Sequence, residues 1–139
     1  MNGNWNGVLG DKNIVDGSGN GVVGDWNTLR GDLNKVIGDG NRLQGTDNVV
    51  KGKLNTIKNG DSNTVRGVQN IILNGDKNTV DGNCNFAQGS ANDIRGNINT
   101  LVGNYNLVGG NANKIDGTDN RVNGDCNDLV GDSNNVIGH

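Results

Sequence analysis

Large apolar side chains are scarce in this sequence: aromatics supply 3% of its 139 residues, and all apolar types together 31%. That is too little for the core of an ordinary globular domain of this length. Basic character is missing as well. The net charge is −3 and Lys and Arg are scattered along the chain, so there is no basic stripe for nucleic acid. No apolar run approaches membrane-spanning length and no signal peptide precedes the repeats, so the sequence reads as a soluble module with no membrane partner. Histidine occurs once, as the last residue, His139. No nucleophile and base recur together, so neither enzymatic activity nor a cofactor is expected.

Glycine and asparagine are plentiful instead. Composition alone, with 25 Gly, suggests disorder, but a strict period overrides that reading. An Asn recurs from Asn6 to Asn134, nineteen times, at spacings of seven with two of eight. Three residues before each stands Gly, and two residues after each stands an aliphatic residue, the smallest being Ala87. The unit is G-x-x-N-x-Φ-x, with Φ aliphatic, and internal repetition of this kind decides the fold.

A seven-residue period invites a coiled coil, but one Gly per repeat would cost a helix about 1 kcal/mol each time. The segment N-x-Φ is instead a period of two, which places Asn and the aliphatic on one face of a short strand. Gly-x-x is turn chemistry: Asp, Asn, Ser or Thr fills seventeen of the nineteen first x positions. Two strands back to back close the smallest coil, fourteen residues long. The expectation is an all-β, two-sheet parallel β-solenoid of about nine and a half coils, roughly 45 Å long at about 4.8 Å per coil, occupying residues 1–139 as one domain. Odd repeats build one sheet and even repeats the other, with Φ residues meeting in a thin core. A three-sided helix of 21-residue coils would also satisfy the period.

The inward Asn residues, among them Asn27, Asn34, Asn41, Asn48, Asn55, Asn63, Asn70 and Asn78, are expected to stack as ladders. There each side-chain amide donates to a neighbouring Asn carbonyl, which satisfies a buried polar group with its own copy. The two eight-residue spacings place extra residues near Asn59 and Asn74, fifteen apart. In a two-unit coil both fall on the same edge of adjacent turns, so one bulge stacks on the other.

The remaining chemistry reads as structural. Asp11, Asp25, Asp39, Asp61 and Asp76 at the first corner position are read as turn caps rather than Ca²⁺ ligands, and no metal is expected. Cys84 and Cys126 hold equivalent positions 42 residues apart. Three coils, or about 14 Å, exceed disulfide reach, so they read as free thiols. Trp5, Trp26 and Tyr105 read as edge packing. Opposite charges stack in successive coils (Arg66, Asp81 and Arg95; Asp16 with Arg30; Lys114 with Asp128), each pair contributing about 0.2–1 kcal/mol.

The phrases Gly-Asp-Ser-Asn-Thr-Val-Arg-Gly (60–67) and Gly-Asp-Lys-Asn-Thr-Val-Asp-Gly (75–82) resemble the x-x-N-x-V-x-G repeat of ice-binding proteins from cold-tolerant grasses such as perennial ryegrass. The resemblance covers essentially the whole chain. It implies a left-handed β-roll of 14- to 15-residue coils, secretion, an ice surface as partner, and inhibition of ice recrystallisation through one flat sheet.

The fixed residues point inward, so any ice face must be read from the positions one and three after each Asn. The resemblance implies a flat, uncharged face, whereas fourteen of these thirty-eight outward positions are charged. The best uncharged patch lies on the even sheet: Thr56, Ile71, Leu73, Phe86, Thr100 and Val102. Val49, Thr64 and Thr79 on the odd sheet form the second choice. From a different class comes the alternative of a structural, self-associating solenoid, a fibre or adhesin module that pairs end to end through exposed strand edges.

Overall fold

The computed structural model describes residues 1–138; His139 lies outside them. Among the described residues there are nineteen strands, from β1 (Gly7–Leu9) and β2 (Ile14–Asp16) to β18 (Asp128–Val130) and β19 (Asn135–Ile137), and no helix. The odd-numbered strands form one ten-stranded sheet and the even-numbered strands a nine-stranded one. Every neighbouring pair is parallel and in register, as in Val15 opposite Leu29 and Val22 opposite Val36. The two-sheet, 14-residue coil is thus the architecture, and the three-sided alternative is excluded. No proline occurs, so no strand lacks a ladder donor on that account.

Each strand is only three residues in most coils, and its middle residue points inward. The Φ residues form a single continuous core that includes Leu29, Val36, Ile72, Val80, Ala87 and Leu101, all essentially inaccessible. Removing each Val, Leu or Ile side chain from water contributes about 1.5–3 kcal/mol, and Ala87 less. Val8, Leu129 and Val136, in the outermost coils, are only partly covered.

The ladders run along both edges of this core, Asn27, Asn41, Asn55 and Asn70 in one and Asn34, Asn48, Asn63 and Asn78 in the other. Asn41 shows the pattern. Its Nδ2 donates to Asn27 Oδ1 at 3.0 Å and to the Gly52 carbonyl at 2.9 Å, while its backbone N–H donates to the same Asn27 Oδ1 at 3.0 Å. The Oδ1 of Asn41 in turn accepts from the backbone and Nδ2 of Asn55. The stacking thus explains both the fixed Asn and the fixed Gly. Asn fills its hydrogen-bonding capacity with the Asn of both neighbouring coils and the Gly carbonyl of the following one, and that glycine partner is not implied by the Asn spacing alone.

Gly stands at the corner because no side chain fits. At Gly96 φ is +131°, and a Cβ would overlap the carbonyl oxygen of Gly110 one coil away. That same oxygen accepts from Asn99 Nδ2 at 2.9 Å. Close backbone stacking and the Asn bond are one requirement.

The corners hold a second regularity. The residue before every repeat Asn is left-handed, with φ between 56 and 71°. Only Gly19 and Gly40 meet this without strain; elsewhere Trp, Leu, Lys, Cys and even Ile98 adopt it. For a β-branched residue that conformation is an outlier. Stacking compensates locally: Leu33 leans into the space above Gly19 and Leu54 into that above Gly40.

Asn59 and Asn74 lie on one edge in adjacent coils, and Asn59 Nδ2 donates to Asn74 Oδ1 at 3.1 Å. The inner ladder absorbs the extra residue without a break, since Asn63 still donates to Asn48 Oδ1 at 3.0 Å.

Three expectations need correction. The corner Asp residues do cap backbone donors, but across coils rather than within their own turn. Asp25 Oδ1 accepts from the Asp11 N–H at 2.7 Å, Asp39 from Asp25 at 3.0 Å, and Asp76 from Asp61 at 2.8 Å. Of the stacked charges only Lys114–Asp128 closes, at 3.7 Å; Arg95 turns to Asp93 on its own strand, at 3.1 Å. A parallel register brings Arg66 and Asp81 side by side, but long exposed side chains gain little by holding one geometry. Of the aromatics, Trp26 packs under the Lys12 ammonium, 4.0 Å from its centroid, whereas Trp5 and Tyr105 are 92% and 67% exposed.

Candidate functional site

Parallel in-register pairing converts the outward residues of each sheet into two columns. On the even sheet, β8 (Thr56–Lys58), β10 (Ile71–Leu73), β12 (Phe86–Gln88) and β14 (Thr100–Val102) are successive neighbours. Thr56, Ile71, Phe86 and Thr100 form one column, and Lys58, Leu73, Gln88 and Val102 the other. All six even-sheet candidates therefore lie in one contiguous patch. Ile71, Thr100 and Val102 are exposed, while Thr56, Leu73 and Phe86 are half-buried by their neighbours.

The three strands β10, β12 and β14 carry no charge at any outward position. Gln88 completes this strip between Leu73 and Val102. Residue type alone passed it over, but its column position is readable from the spacing. The strip is bounded by Lys58 on one side and by β16 (Lys114–Asp116) on the other. Towards the N-terminus the sheet is rougher: a hollow lined by Arg30, Arg42, Gln44 and Lys58 opens there, and another beside Trp26, Arg42 and Leu54.

The odd sheet gives the second-choice residues a different setting. Val49, Thr64 and Thr79 do stack in one column. The column beside them is charged at every step, Lys51, Arg66, Asp81 and Arg95. Asp93 then ends the uncharged column, with its Oδ1 buried and unpartnered. Charged groups hold their own hydration shells, and stripping them is costly. A face of methyl, hydroxyl and amide groups at strand spacing can instead align water without competing for it.

Among the described residues no group of three or more His, Cys, Asp or Glu side chains is placed to hold a metal ion. A family model described as the grass antifreeze beta roll matches residues 41–131, more than half of the chain. The chain belongs to that family. Its matched span contains the whole even-sheet strip, and the family's antifreeze description ties the fold to ice at family level. It is not a family of enzymes. No curated protein matches the chain. Among solved structures, the crystal structure of the polySia specific acetyltransferase NeuO aligns over 99% of this chain and 80% of its own, at 11% identity and a TM-score of 0.26. A likeness that slight bears on neither fold nor activity.

Proposed function

We propose that the protein inhibits ice recrystallisation by adsorbing to ice through its even sheet, with Thr56, Ile71, Leu73, Phe86, Thr100 and Val102 as contact residues and Gln88 at their centre. The observation that carries this reading is the run of three consecutive uncharged strands, β10, β12 and β14, in strict register. Strands in parallel register repeat about every 4.8 Å, so the outward side chains are spaced on a regular grid, Ile71, Phe86 and Thr100 in one column and Leu73, Gln88 and Val102 in the other. The rigid backbone fixes that grid before contact, so little conformational entropy is lost on adsorption.

The experiment compares recrystallisation inhibition and ice-crystal shape for the wild type, Thr100→Lys and Thr79→Lys. A lysine at 100 is expected to abolish or greatly weaken activity, because it introduces a hydrated charge into the strip. The same change at 79 adds a charge to a face that already carries several and leaves activity unchanged. Inactivity of the wild type at micromolar concentration overturns the proposal. Filaments in negative-stain images of that inactive protein would favour the self-associating solenoid instead.

A further inference from the structure

Cys84 and Cys126 are both free and both exposed. They occupy the left-handed corner position on the edge where the chain passes from the odd sheet to the even one, with Ile98 and Ala112 in the two coils between them. The column reads Cys, Ile, Ala, Cys. Ile98 is unfavourable here in two independent ways: it is β-branched with φ of +61°, and it is 63% exposed. Beside this column runs a second, Asn83, Asn97, Asn111 and Asp125, in which each member accepts the backbone N–H of the one before. Across four coils the only charge on this edge is Asp125.

These two columns are self-complementary under a two-fold rotation. In an isologous pair each contact is made twice, i with j and j with i. An antiparallel second copy placed against this edge, with the axis between Ile98 and Ala112, sets Cys84 opposite Cys126 of the other copy. The same operation sets the larger Ile98 against the smaller Ala112, and Asn83 against Asp125, a donor facing a carboxylate. Both Cys84–Cys126 pairs form together because both copies have the same separation of three coils.

We propose that this edge is a homodimer surface closed by two reciprocal Cys84–Cys126 disulfides. Four narrow corners bury far less than the roughly 1,200 Å² of a stable non-covalent interface, so the covalent bonds hold the pair together. With oxidised glutathione as the oxidant, a cysteine thiolate attacks its disulfide, forming a mixed disulfide and releasing one glutathione thiolate, which takes the proton. The opposing cysteine thiolate then attacks the protein sulfur of the mixed disulfide and releases the second glutathione. Two such exchanges consume two oxidised glutathiones and four protein thiols and yield four reduced glutathiones.

The antiparallel edge-to-edge operation leaves one further consequence fixed. Its axis runs along the sheet normal, so the even sheets of both copies face the same side. Resting on the proposed function, the dimer would double the ice-facing area; the disulfide itself does not depend on ice.

The test is non-reducing electrophoresis and disulfide mapping after incubation with oxidised glutathione. The wild type is expected to double in mass and to yield Cys84–Cys126 as its intermolecular cross-link. Cys84→Ser alone and Cys126→Ser alone are each expected to stay monomeric, while an equimolar mixture of the two forms a singly bridged heterodimer. A wild type that stays monomeric, a Cys84–Cys84 or Cys126–Cys126 bridge, or dimerisation of either single variant alone overturns the proposal. If the dimer forms and neither species affects ice, the failure belongs to the ice reading.

Discussion

Asn97 and Asn99 stand two residues apart on one corner and make the same Asn-to-Asn bonds, Asn99 adding one to the Gly110 carbonyl. The backbone N–H and Nδ2 of Asn97 reach Asn111 Oδ1 at 2.9 and 3.1 Å, and those of Asn99 reach Asn85 Oδ1 at 2.9 and 3.1 Å. Yet the inner position is Asn in all nineteen repeats, while the outer one accepts Asp, Asn, Ser, Thr and, once each, Lys53 and Val68. Apart from the glycine bond, the geometry of the two ladders is alike; access to water is not. Asn99 is fully buried and Asn97 only half-buried, so solvent reaches a lost bond at the outer ladder but not one at the inner ladder.

The largest expected effect follows from that difference. Asn99→Leu orphans the Asn113 N–H and the Gly110 carbonyl and strips Asn113 Nδ2 of one of its two acceptors, the Gly124 carbonyl remaining, and should destabilise the fold by about 3–5 kcal/mol in urea unfolding. A loss below ~1 kcal/mol would mean that water enters the core. Next comes Ile98, which lies between the two ladders. Ile98→Gly relieves the left-handed strain and should stabilise the reduced monomer by about 1 kcal/mol. Asn97→Ala removes the corresponding Asn-to-Asn bonds of the outer ladder and should cost less than ~0.5 kcal/mol. A loss as large as that of Asn99→Leu would overturn the account.

The smallest effect lies at Asp39, also on the outer ladder. Its carboxyl is held below the ordinary 3.8, first by the Asp25 N–H and then by Lys53, 2.9 Å away. Lys53 is held above its ordinary 10.5 by the same pair. A depressed carboxylate contributes stability that is present above its unfolded pKa and lost as pH falls through the folded one. The raised lysine contributes below its unfolded pKa and loses it as pH rises through the folded value. Thermal melts of Asp39→Asn and the wild type should therefore differ slightly near neutral pH and converge in acid. Both side chains reach solvent, and its screening keeps the difference small.

Much of this was legible from the residues. Asn and Φ are invariant because each meets a copy of itself, so their spacing alone yields coil length, sheet assignment and the stacked insertions at Asn59 and Asn74. The left-handed residue at every corner was not, because the position carries Trp, Lys, Cys or Ile and so leaves no compositional mark. The cross-coil direction of the Asp caps was equally hidden, since a capping residue looks the same whichever N–H it accepts. On the surface, the candidate strip could be assembled from spacing, but whether Arg95 pairs with Asp81 or Asp93 depends on rotamers that no spacing encodes.

The two insertions have a consequence for how the chain finds its alignment. Sliding one stretch of coils past the next by fourteen residues exchanges Asn for Asn, Gly for Gly and aliphatic for aliphatic, so most of the interior cannot distinguish correct pairing from a slipped one. A seven-residue slip exchanges the two sheets and leaves the interior equally content, while placing every outward residue on the wrong face. Only where the spacing becomes fifteen, as from Asn48 to Asn63 and from Asn63 to Asn78, does a slip leave a bulge without its mate. The stacked pair at Asn59 and Asn74 is thus an index mark on an otherwise uniform spool. Deleting both residues should leave a chain that still coils but no longer coils in one way.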